Sequence, residues 1–112
     1  MPLPDKLDVL QGTLDLLILR TLQWGPQHGH GIGQVIRAKS DDLLHVEHGS
    51  LYPALHRLRR KGWVDAEWGT THNSQRAKFY RLTAEGKKQL AREETKWKLF
   101  VKAIARVMRP QV

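Results

Sequence analysis

Cysteine is absent from this chain of 112 residues, which removes disulfides, thiolate metal sites and a cysteine nucleophile together. Long apolar runs are missing too: none approaches the roughly 18 residues that a membrane span requires. The opening MPLPDKLDVLQG lacks the basic flank and apolar centre of a secretory leader. A reducing, cytoplasmic setting is therefore expected. Acidic charge is the scarcer sign, with 11 Asp and Glu against 19 Lys and Arg and a formal charge of +8. An excess of that size favours a polyanion, nucleic acid first and an anionic membrane surface second. Aromatic residues are sparse at 7%, yet Trp63, Trp68, Phe79 and Tyr80 fall within one short stretch.

What is present suits one folded domain: 40% hydrophobic and 27% charged residues are ordinary for a globular chain. So small a core is readily completed by a second copy. From Thr13 to Trp24, Leu14, Leu17, Ile18 and Leu22 recur at helical spacing with Leu16 and Leu19 on the flanks, predicting a helix buried nearly all round. Gly12 or Thr13 can cap its start, and Gly25-Pro26 stops it. A short helix follows over about Ile32 to Lys39. Leu43 to Val46 is long enough only to span a gap or add an edge strand.

The next segment, SLYPALHRLRRKG, places Leu51, Leu55 and Leu58 on one stripe. The opposite face carries Pro53, His56, Arg57 and Arg60, with Tyr52 on the flank. Its helix starts between Glu47 and Ser50, with Pro53 in the first turn or at a slight kink. From Trp63 the period falls to two: Val64, Ala66 and Trp68 alternate with Asp65 and Glu67, and a second run puts Tyr80 and Leu82 on one face. The polar stretch Gly69 to Gln75 between them predicts a hairpin with a mobile tip. Thr83 then caps a long final helix ending at Arg109-Pro110, whose Leu90, Trp97, Val101, Ile104 and Met108 form a seam interrupted at Glu94.

Three helices and a hairpin, with the third helix basic outside, predict a mostly α winged helix-turn-helix with a small β-wing and a long C-terminal dimerisation helix. The expected division is 1–82 for DNA binding and 83–112 for dimerisation. A helix laid in the major groove reads base edges near its N-terminus and holds phosphates with flanking cations. That assigns base reading to Ser50, Tyr52, Pro53 and His56, and backbone holding to Arg57, Arg59, Arg60 and Lys61. Wing residues Asn73, Gln75, Arg76 and Lys78 reach the adjacent minor groove or its phosphates. The bland alternative, a merely solvated basic helix face, loses ground once the helix order and hairpin are added.

The segments GTLDLLILRTL, HGHGIGQVI, EHGSLYPALHRLRRKGWVDAEWG and RAKFYRLTAEGKKQL together resemble the PadR family of transcriptional regulators over about Leu10 to Leu90. The resemblance implies a winged-helix repressor that binds double-stranded DNA at a palindromic operator, as a homodimer made by the C-terminal helix. It looks like the family's compact branch. By the same resemblance Tyr52 matches a recognition-helix tyrosine, Lys78 and Arg81 match basic wing positions, and His30 stands where the family often has tyrosine. Trp97 is similar to the tryptophan of members that hold flat aromatic compounds at the dimer interface. It is thus a candidate effector residue, for a planar aromatic small molecule, beside its plainer role as a seam residue.

Competing readings are weaker. His28, His30, His45 and His48 have ligand-like spacings, but loop histidines beside glycine more often serve as surface or phosphate-contacting groups, and no metal or other cofactor is expected. A chain this small and helical offers little scaffold for a Ser-His-Asp triad, so no enzyme activity is expected. Stacking of RNA bases on the hairpin aromatics, and an adaptor using its basic face on an acidic protein, remain as alternatives.

Overall fold

The computed structural model describes residues 7–8 and 11–111. The expectation of no leader falls largely on residues outside that set, as does Leu10, the first residue of the family-like stretch. Gln11–Gln23 form helix α1, the hub of the fold. Leu14, Ile18, Leu19 and Leu22 are buried, while Leu16 and Leu17 are partly covered. Four apolar positions within three turns leave little polar surface, so other elements must surround the helix. They do: α1 packs against the second, third and fourth helices and the last strand. Gly25 follows at φ +140, a value side chains rarely adopt, and with Pro26 it turns the chain out of the helix.

Strand β2 (Gln27–His28) leads directly into α2 (Gly29–Lys39). The helix begins a turn earlier than the apolar spacing predicts, because His28 caps it: its Nδ1 accepts from the Gly31 N–H at 3.0 Å. Ile32 and Ile36 face the core. The gap-spanning segment does become a strand, β3 (Leu44–His45), parallel to β1 (Leu7–Asp8).

Helix α3 spans His48–Arg60 with Glu47 as its N-cap, and buries Leu51, Ala54, Leu55 and Leu58. Pro53 lies in its second turn rather than the first. There it removes the bond residue 53 would otherwise donate to the Gly49 carbonyl. Strands β4 (Val64–Thr70) and β5 (Arg76–Leu82) pair in antiparallel register from Val64↔Leu82 to Thr70↔Arg76. The expected two-stranded hairpin is one strand larger, since β2 joins the free edge of β5 with Gln27 opposite Tyr80 and His28 opposite Phe79. The tip is shorter than expected and closed by hydrogen bonds: Thr71 N–H donates to the Gln75 carbonyl at 2.8 Å and Ser74 N–H to the Thr71 carbonyl at 2.9 Å.

Helix α4 (Ala84–Met108) is capped by Thr83, whose Oγ1 accepts from the Gly86 N–H at 3.0 Å. Its first half belongs to the core. Gly86 packs against the Trp63 carbonyl, Leu90 is 2% exposed in the central cluster, and Arg20 of α1 reaches Glu94 at 3.1 Å. Leu90, expected on the dimer seam, is therefore corrected to an internal residue: one seven-residue step before Trp97, the helix is still covered by its own domain. Beyond Glu94 the helix projects alone, which accounts for extents of 59 × 32 × 22 Å. The exposed stripe there gains two residues that the seam omitted, Phe100 and Val107, alongside Trp97, Val101, Ile104 and Met108.

Candidate nucleic-acid interface

Helix α3 has three sides. Its leucines are inside, and Pro53, His56 and Arg60 are exposed on the opposite face. Ser50 is exposed in the first turn. Arg57 sits on the flank toward α1, where its Nη2 donates to Asp15 Oδ1 at 2.7 Å with both side chains largely covered. A phosphate there would have to compete with the part-buried Asp15 carboxylate, which already holds that guanidinium and ties α3 to α1. On the other flank Tyr52 faces the wing. Burial, then the proximity of Tyr52, pushes the Tyr80 phenol above its ordinary range, with Arg59 opposing.

Tyr52 is held from beneath by what glycine leaves open. A side chain at Gly29 would stand 2.7 Å from the Tyr52 ring and hydroxyl, so the bare backbone at the start of α2 is the surface on which the tyrosine rests. From it a row of rings runs back across the molecule. Tyr52 meets His48 edge to face at 6.1 Å, His48 meets His30 at 5.8 Å, His30 stacks on His28 at 6.4 Å, and His28 abuts Phe79 at 5.6 Å. These histidines touch side by side instead of converging on one point, and His45 turns away to Glu47 at 3.6 Å. Among the described residues no group of three or more His, Asp or Glu is disposed to hold a metal ion.

Between the start of α2, Tyr52 and the wing lies an open cleft of about 500 Å³, lined by His30, Gln34, Tyr52, Asn73, Gln75 and Lys78 among others. Among the described residues no carboxylate lines it. His28, Thr71, His72 and Tyr80 complete its polar surface. Tyr52, Asn73, Gln75 and Lys78 were expected at a binding surface from their positions, and the fold brings them together. Gln34 and His72 were not, and His30 only as one of the loop histidines beside glycine; the glycine-rich HGHG reads as a turn, and only the His28 cap reveals that it opens a helix.

The wing has two unlike faces. Residues 64, 66, 68 and 70 share one face with 76, 78, 80 and 82, and this face is continuous with the core through buried Val64, Tyr80 and Leu82. Toward the tip it carries Trp68, Arg76 and Lys78. Asp65 and Glu67 lie on the other face with Arg81, which approaches Asp65 at 3.9 Å. The basic role that the family resemblance implies for Arg81 is thereby corrected: it is on the acidic face, turned from the cleft.

Comparison with known proteins agrees with this arrangement. The model of the PadR-like family of transcriptional regulators matches residues 18–92, two thirds of the chain. The chain belongs to the PadR-like family. A solved transcriptional regulator from Clostridium thermocellum is 31% identical, with a TM-score of 0.81, covering 88% of this chain and 96% of its own. A PadR family transcriptional regulator from Eggerthella lenta is 27% identical with a TM-score of 0.76, covering 90% and 86%. A protein of Lysinibacillus sphaericus known only as uncharacterized protein X is 29% identical over 90 residues, 80% of this chain and 83% of that one. The winged-helix architecture, with four helices and a three-stranded antiparallel sheet among the described residues, is the PadR-like fold, and the chain is a DNA-binding transcriptional regulator. Its family is one of regulators, not enzymes, and no helix among the described residues is long and apolar enough to cross a membrane.

Proposed function

We propose that this PadR-like chain is a cytoplasmic repressor that binds a palindromic operator as a homodimer, with α3 in the major groove and the wing alongside it. The observation that carries this reading is that, among the described residues, no carboxylate lies within α3, lines the cleft or shares the inner side of the wing. A phosphate backbone crossing that face meets Arg60, Lys78 and Arg76, while Tyr52, Pro53, His56 and Ser50 stand where an inserted helix reaches base edges. Residues 1–82 bind DNA in this reading, and within 83–112 the part of α4 beyond Glu94 makes the dimer. The exposed stripe from Trp97 to Met108 supports the second copy, since a lone chain leaves that much contiguous apolar surface in water.

Binding to random and to operator duplex across a range of salt tests the proposal. Tyr52→Ala and His56→Ala should reduce operator binding by roughly 1–3 kcal/mol while sparing random duplex. Arg60→Ala should weaken both alike and lower the salt slope by about 1. A shallow slope for the unaltered protein would instead favour a protein-binding adaptor. Trp97, 46% exposed on the stripe, is proposed as the place where a planar aromatic effector inserts between the two copies; Trp97-dependent quenching by phenolic compounds is the corresponding measurement.

A further inference from the structure

We propose that Trp68 is a positioning residue of the DNA contact: its indole is the platform on which Arg76 and Lys78 are held, so that two cations approach the DNA backbone as one fixed unit. The inference rests on the DNA-binding reading above. Trp68 is 57% exposed although it lies on the wing face that is core at its base, through Val64, Tyr80 and Leu82. An indole left in water so near a core has no packing purpose of its own. What it has is two cations. The Arg76 guanidinium stands 4.9 Å from the ring centroid and the Lys78 ammonium 5.6 Å, both within the range where the ring quadrupole attracts positive charge.

The strand register produces this. Lys78 is directly opposite Trp68, and Arg76 is two residues earlier in β5, toward the tip, the diagonal position that long side chains can bridge. Side chains at 69 and 77 would fall on the other face, so no residue of either strand intervenes. Asp65 and Glu67 also point to that other face, which leaves the two cations without a carboxylate partner from either strand and their charge available to phosphate. Free Lys and Arg side chains lose rotamer freedom when they bind. A pair already gathered on an indole has lost part of it beforehand, and binding is stronger by that amount.

Two measurements test this. In the free protein, the methylene protons of Arg76 and Lys78 nearest their charges should resonate upfield through the indole ring current and return to ordinary positions in Trp68→Leu. On random duplex, Trp68→Leu should weaken binding on the order of tenfold, Trp68→Tyr should recover most of the loss, and Trp68→Leu should add nothing in an Arg76→Gln/Lys78→Gln background. Absence of the ring-current shifts would overturn the proposal. So would a Trp68→Leu loss that persists undiminished without the two cations, because the indole would then be touching DNA or supporting the wing by itself. Intact shifts in a protein that fails to bind duplex DNA would defeat the DNA-binding reading itself, and with it the use made of the platform.

Discussion

Tyr52 and Gly29 show how a residue without a side chain can set the place of one that has an important one. Alanine at position 29 has to push the Tyr52 ring aside, and an exposed tyrosine can swing away at little cost. Gly29→Ala is therefore expected to leave stability within about 1 kcal/mol of the original, helped by the better helix propensity of alanine. Operator preference should fall as it does for Tyr52→Ala, by roughly 1–3 kcal/mol. Thermal unfolding beside a DNA titration separates the two effects. Arg57 and Arg60 teach a related lesson three residues apart. Both are arginines in a basic run, yet one is paired with the part-buried Asp15 and the other is exposed.

Among the elements, α4 changes character along its length. Up to Glu94 it is a core helix, so Leu90→Ala should cost about 2–5 kcal/mol in urea unfolding, the range for emptying a buried leucine site. The wing sheet carries its own pH dependence. Burial holds the Tyr80 phenol protonated beyond its ordinary range, so the folded chain keeps that proton more tightly than the unfolded one. Stability is then complete below about pH 10 and is lost as pH rises from there through the raised value. Tyr80→Phe should flatten this alkaline decline, as read from unfolding midpoints between neutral and strongly basic pH.

For the whole molecule, shape decides. A compact chain of about this length has a radius of gyration near ~13 Å, whereas this one has 15.8 Å. The difference is the projecting half of a helix that, at about 1.5 Å per residue, carries its apolar stripe well away from the core. Val101→Asp combined with Ile104→Asp places two charges on that stripe without touching the winged-helix core, and light scattering should then report a monomer. An unchanged dimer would move the interface off α4. DNA affinity should fall with the dimer, because two half-sites held together bind far more tightly than two separate ones.

Periodicity alone determined a great deal of this protein. Leucine spacing located α1 and α3, alternation located the wing strands, and the turn residues marked roughly where they break, because each of these depends on neighbours a few positions away. The basic outer face of α3 and the GSLYPALHRL and KFYRLTAEG stretches carried the family. Tertiary structure alone decided which charges are free and which apolar residues are covered. Arg57 and Arg81 look like any other basic residue until Asp15, 42 positions away, and Asp65, across the sheet, are brought beside them. Leu90 and Trp97 look alike on a seam until α1 covers one and leaves the other in water. Contacts between residues distant along the chain arise only when the fold closes, and a local pattern contains no information about which partner will arrive.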